Sequence, residues 1–262
     1  MSLDGDRLRL HMRDGEVAGT LLVPAALRPG VLMVHGWGGN RQQYLEVAHP
    51  LTALGCVCLT FDLTGHSATS ARRQDVTRQE NLDDVTAAYD FLAAHPQVKE
   101  SAIAVIGSSY GGYLAALLTA IRPVAWLALR APALYRDRDW DAPKQQLARL
   151  QDLPHYRRTV IAPEANRALR ACACFPGDVL IVESERDTIV PRPTLTSYRR
   201  AFRVARSLNY RMIANANHAL SDHDSQRAYA AILIEWISAQ LLDSAALGRN
   251  APPQAVEEPE VV

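Results

Sequence analysis

Two short stretches open the chain, residues 7–12 and 17–23, in which apolar and polar positions alternate as on strands with one buried face. Asp14-Gly15 between them is a hairpin signal, so the pair is expected to enter a sheet antiparallel. After Pro29-Gly30 the pattern changes to continuous apolar runs, Val31-Leu32-Met33-Val34, Val57-Cys58-Leu59-Thr60-Phe61 and Ile103-Ala104-Val105-Ile106. Strands that are apolar on both faces are those of a parallel sheet covered by helices on each side. Further strands are expected at 124–129, 179–182 and 210–213.

Helical spacing fills the intervals. Leu82, Val85, Tyr89 and Leu92 share one helical face, with Asn81 as the expected N-cap and His95-Pro96 as the stop. Other helices are expected near 41–54, 110–121, 193–206 and 222–242. Strand and helix alternate, which predicts an α/β fold: an open, mostly parallel sheet with helices on both faces. Residues 131–176 break the rhythm, with Pro132, Pro143, Pro154 and Pro163 among dense Arg and Asp. That is too long for an ordinary connection, and it is expected to be a small cap or lid inserted after the sixth strand, shaping substrate choice. A single domain is expected over 1–247, followed by a flexible Pro- and Glu-rich tail at 248–262.

Charge narrows the partners. Lys and Arg together number 28, as do Asp and Glu, so no net field draws the chain toward nucleic acid or an anionic membrane, and a small molecule is the expected partner. No stretch approaches the roughly 20 consecutive apolar residues that cross a bilayer. Met1-Ser2-Leu3-Asp4-Gly5-Asp6-Arg7 carries acidic residues where a signal peptide needs basic ones, so a cytoplasmic location is expected. The cysteines fall as Cys56 and Cys58, and Cys172 and Cys174; the first pair sits in an apolar run and reads as core thiols. No metal, cofactor or disulfide framework is expected.

Candidate chemistry begins where Ile103-Ala104-Val105-Ile106 ends in Gly107-Ser108-Ser109-Tyr110-Gly111-Gly112 and a helical run follows. A Gly-x-Ser-x-Gly sequence between strand and helix is a sharp turn that lifts a hydroxyl to the helix N-terminus, where the dipole favours developing negative charge. Ser109 is the expected nucleophile; Ser108, without the flanking glycine symmetry, is its rival. A serine hydroxyl needs a base in reach and a third group to fix the base's tautomer. Strand 179–182 runs into a loop carrying Glu183, Glu185 and Asp187, and strand 210–213 into one carrying His218. Ser109, Asp187 and His218 thus follow the carboxyl ends of three strands, the edge where sites assemble in such sheets. Asp187 is the expected acid and His218 the expected base, with Glu183, Glu185 and His223 as rivals.

An acyl-transfer intermediate also needs two donors for its oxyanion. These are expected to be the N–H of Trp37, in His35-Gly36-Trp37-Gly38-Gly39, and the N–H of Tyr110. The glycine-rich turn lacks the Lys-Ser/Thr ending and the spacing of nucleotide loops. Arg130, Tyr135, Arg136, Arg138 and Trp140 could line a pocket for an acidic or aromatic acyl group, or form a solvated face.

Together with Phe61-Asp62-Leu63-Thr64-Gly65-His66-Ser67, these motifs resemble the α/β-hydrolase superfamily over roughly residues 30–242. Ser109-Tyr110-Gly111-Gly112-Tyr113 looks like the nucleophile elbow of the prolyl-oligopeptidase and acylaminoacyl-peptidase group. The short chain is instead similar to small carboxylesterases, dienelactone hydrolases and feruloyl esterases. The resemblance implies cleavage of a small-molecule carboxylic ester through an acyl-enzyme on Ser109. A thioesterase or an aminoacyl peptidase would share the triad, and a non-catalytic binding protein on the same fold is the alternative of a different class.

Overall fold

The computed structural model describes residues 6–12, 15–22 and 28–249. Asp14 of the hairpin signal and residues 250–262 of the expected tail lie outside them; residues 248 and 249 are helical rather than tail.

Eight strands form one sheet: β1 (Asp6–Met12), β2 (Gly15–Leu22), β3 (Arg28–Val34), β4 (Val57–Phe61), β5 (Val98–Ser108), β6 (Trp126–Arg130), β7 (Asp178–Ser184) and β8 (Ser207–Ile213). Their spatial order is β1-β2-β4-β3-β5-β6-β7-β8. The β1–β2 and β2–β4 pairs are antiparallel and all others parallel. Registers Val34↔Gly107, Ser108↔Arg130, Arg130↔Val182 and Ser184↔Ile213 bring the carboxyl ends of β3, β5, β6, β7 and β8 to one edge.

The continuous apolar runs explain the layers, because successive side chains of a strand point to opposite faces. Leu32, Val57, Leu59, Ile103, Val105, Val179 and Ile181 enter one core cluster, while Val31, Met33, Cys58, Ala104, Ile106, Leu180 and Val182 enter the other. Helices α1 (Leu45–Ala53) and α8 (His223–Arg249) cover the second cluster. Helices α2 (Arg78–Ala93), α3 (Tyr110–Leu118) and α7 (Arg192–Ala201) cover the first. Between β6 and β7 lie three short helices, α4 (Leu147–Leu150), α5 (Leu153–Arg157) and α6 (Arg167–Ala173).

Several boundaries differ from expectation, among them the ends of α3 at Leu118 and of α7 at Ala201. The helix expected at 41–54 is divided into a 3₁₀ turn over Arg41–Tyr44 and α1. The cap of α2 is Thr77, not Asn81: its hydroxyl accepts from the Glu80 N–H while the Glu80 carboxylate accepts from the Thr77 N–H, a capping box. Asn81 is buried one turn inside, donating to the Thr64 carbonyl and accepting from the Tyr110 hydroxyl.

The segment 131–176 is fastened to the core by buried polar groups. Arg78, fully buried, donates to the carbonyls of Arg136 and Arg138 at 2.7 Å each. Tyr198 donates to the Ala133 carbonyl from α7, and within the segment Arg157 donates to the carbonyl of Leu134 and Asn166 to that of Tyr135. No described helix is long and apolar enough to cross a membrane. Cys56, Cys58 and Cys172 are buried, and burial pushes the Cys56 thiol up to about 12.

Candidate active site

Ser109 stands between β5 and α3 at φ +53°, ψ −114°, a conformation that side chains rarely adopt and that a tight turn imposes. Close approach explains the glycine two residues on. A Cβ on Gly111 would lie 2.2 Å from the Val34 carbonyl oxygen, so no other residue lets α3 start this near β3. The turn is held from the sheet side as well, since the Ser109 N–H donates to the Arg130 carbonyl at 2.9 Å.

Three side chains converge here from β5, β7 and β8. Ser109 Oγ lies 2.9 Å from His218 Nε2, and His218 Nδ1 lies 2.6 Å from Asp187 Oδ2. The other Asp187 oxygen accepts from the N–H groups of Ile189 and Val190 at 2.8 Å. Burial pushes the Asp187 carboxyl up, but the hydrogen bonds from His218 and from these two amides outweigh it, and the carboxyl titrates below its ordinary range. Asp187 therefore holds the imidazole with the Nδ1 proton toward itself and Nε2 free to accept from the serine.

The rivals are occupied elsewhere. Glu183 pairs with Arg192 at 3.0 Å, and Glu185 accepts from the Asn215 N–H at 2.7 Å. His223 is exposed at the start of α8. Ser108 faces the other way, accepting from the Tyr44 hydroxyl at 2.8 Å and from Arg130 Nε at 3.3 Å.

The loop after β3 passes directly beside Ser109. Neither the Trp37 nor the Tyr110 N–H finds a partner among the described backbone hydrogen bonds. Two buried histidines fasten this loop, a role that the sequence pattern does not reveal. His35 donates from Nδ1 to the Gly36 carbonyl and accepts the Leu63 N–H at Nε2. His66 accepts the Gly38 N–H at Nε2, 3.0 Å away, and its Nδ1 contacts the Thr64 carbonyl at 3.3 Å. Burial, helped by the neighbouring His35, holds His66 down at about 4, so its acceptor nitrogen stays unprotonated at neutral pH. The one signal is the Gly65-His66-Ser67 turn, whose partner lies 28 residues away.

A cavity of about 460 Å³ opens at Ser109 and His218. It runs toward α1 and α8, past Gly36, Ser108, Tyr44, Arg130 and Tyr229. Of the candidate pocket residues, Arg130 lines it and Tyr135 and Trp140 do not. Nor does any residue of 131–176. Tyr135 is buried edge-on against Tyr110 and Tyr113, and Trp140 donates to Gln79 while its ring lies under the guanidinium groups of Arg78 and Arg167. These aromatics bind the insert to the core. Lys144 serves the same end, its ammonium 4.3 Å from the Trp37 ring centroid and 4.9 Å from that of Tyr110. Among the described residues no cluster of His, Cys, Asp and Glu is arranged to hold a metal ion.

An eight-stranded, mostly parallel sheet with helices on both faces and a strand-turn-helix serine at its carboxyl edge is the α/β-hydrolase architecture. The family model described as serine aminopeptidase, S33 matches residues 25–173, more than half of the chain, and the chain belongs to this family of hydrolases. The matched span includes Ser109 and ends before Asp187 and His218. An uncharacterized protein of Mycobacterium tuberculosis is 29% identical over 223 residues, 84% of this chain and 72% of that protein. A pimeloyl-[acyl-carrier protein] methyl ester esterase of Chromobacterium violaceum is 37% identical over 116 residues, 43% of this chain and 41% of that one. Among solved structures, Est1E from Butyrivibrio proteoclasticus with ferulic acid bound superposes at a TM-score of 0.67 with 16% identity, covering 91% of this chain and 99% of Est1E.

Proposed function

We propose that the chain hydrolyses a carboxylic ester of a small molecule through an acyl-enzyme on Ser109. The observation that carries this reading is the unbroken hydrogen-bonded line Ser109–His218–Asp187, at 2.9 and 2.6 Å. Ser109 Oγ attacks the ester carbonyl as His218 Nε2 takes its proton; the carbonyl π electrons move onto oxygen, facing the N–H groups of Trp37 and Tyr110. Collapse of the intermediate expels the alcohol, which receives the proton from His218. Water then repeats the sequence on the acyl-enzyme and returns Ser109. Asp187 stays ionised and holds the imidazolium between the steps.

The cavity volume of about 460 Å³ suits a small ligand, within the roughly 300–1,000 Å³ of such sites. The esterase name of the Chromobacterium violaceum relative points the same way. The insert at 131–176 acts in this reading as a fixed buttress for the oxyanion loop, through Lys144 and Tyr135.

Labelling by a fluorophosphonate probe together with release of p-nitrophenol from short-chain p-nitrophenyl esters tests the proposal. Both should be lost in Ser109→Ala; equal labelling of that variant defeats it. Amide cleavage is the second reading, favoured by the family's description and by Glu46, a carboxylate lining the cavity that could hold an ammonium group. Faster turnover of aminoacyl p-nitroanilides than of p-nitrophenyl esters would select it.

A further inference from the structure

The cavity's inner wall holds a charge that no described carboxylate neutralises. Arg130, at the end of β6, is 7% exposed and lines the cavity. Its Nη1 donates to the His218 carbonyl at 2.9 Å and to Ser184 Oγ at 3.4 Å, and its Nε to Ser108 Oγ at 3.3 Å. All three acceptors are neutral, and among the described residues no carboxylate lies within 4.0 Å of the guanidinium. A buried cation without a counterion is costly, and the usual remedy is an anion in the same place.

A second group is also unsatisfied. Tyr229 lines the same cavity; its hydroxyl is buried and makes no well-formed hydrogen bond, although the hydroxyls of Ser108 and Tyr44 stand nearby. Its ring lies 5.6 Å from the Arg130 guanidinium. A buried donor left unpaired costs the free protein and rewards a ligand that brings an acceptor. Arg130 and Tyr229 line one space, continuous with Ser109. The carboxylate among the residues lining that space, Glu46, is exposed to solvent.

We infer that Arg130 and Tyr229, with Ser108 and Tyr44 behind them, form a subsite for a carboxylate on the acyl part of the substrate. The preferred ester is then a monoester of a small dicarboxylic acid. The carboxylate accepts from Arg130 and from the Tyr229 hydroxyl while the ester carbonyl reaches Ser109. Placed on the acyl part, it stays anchored after the alcohol has left and through deacylation. The substrate assignment rests on Ser109 being the nucleophile; the anion subsite itself does not.

Binding can therefore be measured without turnover, on Ser109→Ala protein titrated calorimetrically with monomethyl glutarate and with neutral methyl pentanoate. Charge-assisted hydrogen bonds of this kind should make monomethyl glutarate bind about tenfold tighter or better. In the same background Tyr229→Phe, which removes a hydroxyl that makes no well-formed hydrogen bond, should cut that preference about threefold or more. Arg130→Gln should abolish it, with circular dichroism confirming that both proteins are folded. Equal affinity for the two esters, or binding of neither, overturns the inference, as does a preference that survives both substitutions. Fluorophosphonate labelling of the unmodified protein reports separately on Ser109, so failure of the subsite and failure of the hydrolase reading give different results.

Discussion

A β-carbon placed on Gly36 would stand 3.2 Å from Ser109 Cβ and 3.3 Å from the Ser108 carbonyl oxygen. The loop that carries Trp37 is thus in contact with the Ser109 turn, and glycine is what allows that contact. Gly36→Ala should force the two apart by a few tenths of an ångström, misplacing the Trp37 N–H, a proposed oxyanion donor. A donor displaced in this way costs about tenfold to a hundredfold in kcat, with a much smaller effect on KM. Steady-state kinetics on a p-nitrophenyl ester checks it; a change confined to KM would show that the loop binds ground state instead.

The acid can be separated from its rivals by substitution. Asp187→Asn keeps the shape but loses the acceptor that orients His218, and kcat/KM should fall by about a thousandfold to ten-thousandfold. Glu183→Gln breaks the contact with Arg192, and Glu185→Gln weakens the one with the Asn215 amide, yet neither touches His218. Each should retain activity within about threefold, as peripheral substitutions do. A loss in Glu183→Gln equal to that of Asp187→Asn would reassign the acid.

Much of this arrangement is legible in the sequence for a physical reason: the groups involved are local to strand ends. Apolar runs mark the strands, so the pattern alone puts a residue just past each run at the carboxyl edge. Ser109, Asp187 and His218 follow from that. The pocket does not, because it depends on which face of the sheet the cavity enters. Tyr44 precedes α1 and Tyr229 sits on α8, and nothing near them in the chain shows that both line the cavity beside Ser108. Arg78 is the same case, opening a helix while its carbonyl partners lie 58 and 60 residues away. Thr77 is different. Its Thr-x-x-Glu pattern is a local signal for the helix start, but the apolar spacing begins only at Leu82 and draws the expected cap to Asn81.

That cap yields a stability prediction. Thr77→Ala removes the acceptor for the Glu80 N–H and half of the capping box at the start of α2. The cost should be about 1 kcal/mol, which for a domain of this size lowers Tm by roughly 2–4 °C. Thermal unfolding followed by circular dichroism measures it, and kcat should be unchanged, since the Thr77 hydroxyl bonds within the first turn of α2 and not at the site.

His66 makes the stability depend on pH in a definite direction. In the folded protein it is held at about 4 because burial and His35 disfavour its charge, while Nε2 must accept the Gly38 N–H. In the unfolded chain a histidine titrates near 6.5. Above pH 6.5 neither state binds the proton, and the group contributes nothing to the pH dependence. Between about 6.5 and 4 the unfolded state binds it and the folded state does not, so stability falls as pH falls. The difference of about 2.5 pH units, at about 1.4 kcal/mol each, amounts to about 3 kcal/mol once pH 4 is reached. His35, also lowered by burial, adds in the same sense. Urea unfolding from pH 7.5 to 4.5 should therefore show a decline that is clearly shallower in His66→Gln, which keeps an acceptor but cannot titrate. In the folded protein the Gly38 amide should be released only near pH 4, where His66 itself takes up the proton. Identical slopes in the two proteins would show that His66 is charged in the folded state, and that the oxyanion loop is not fastened through an unprotonated imidazole.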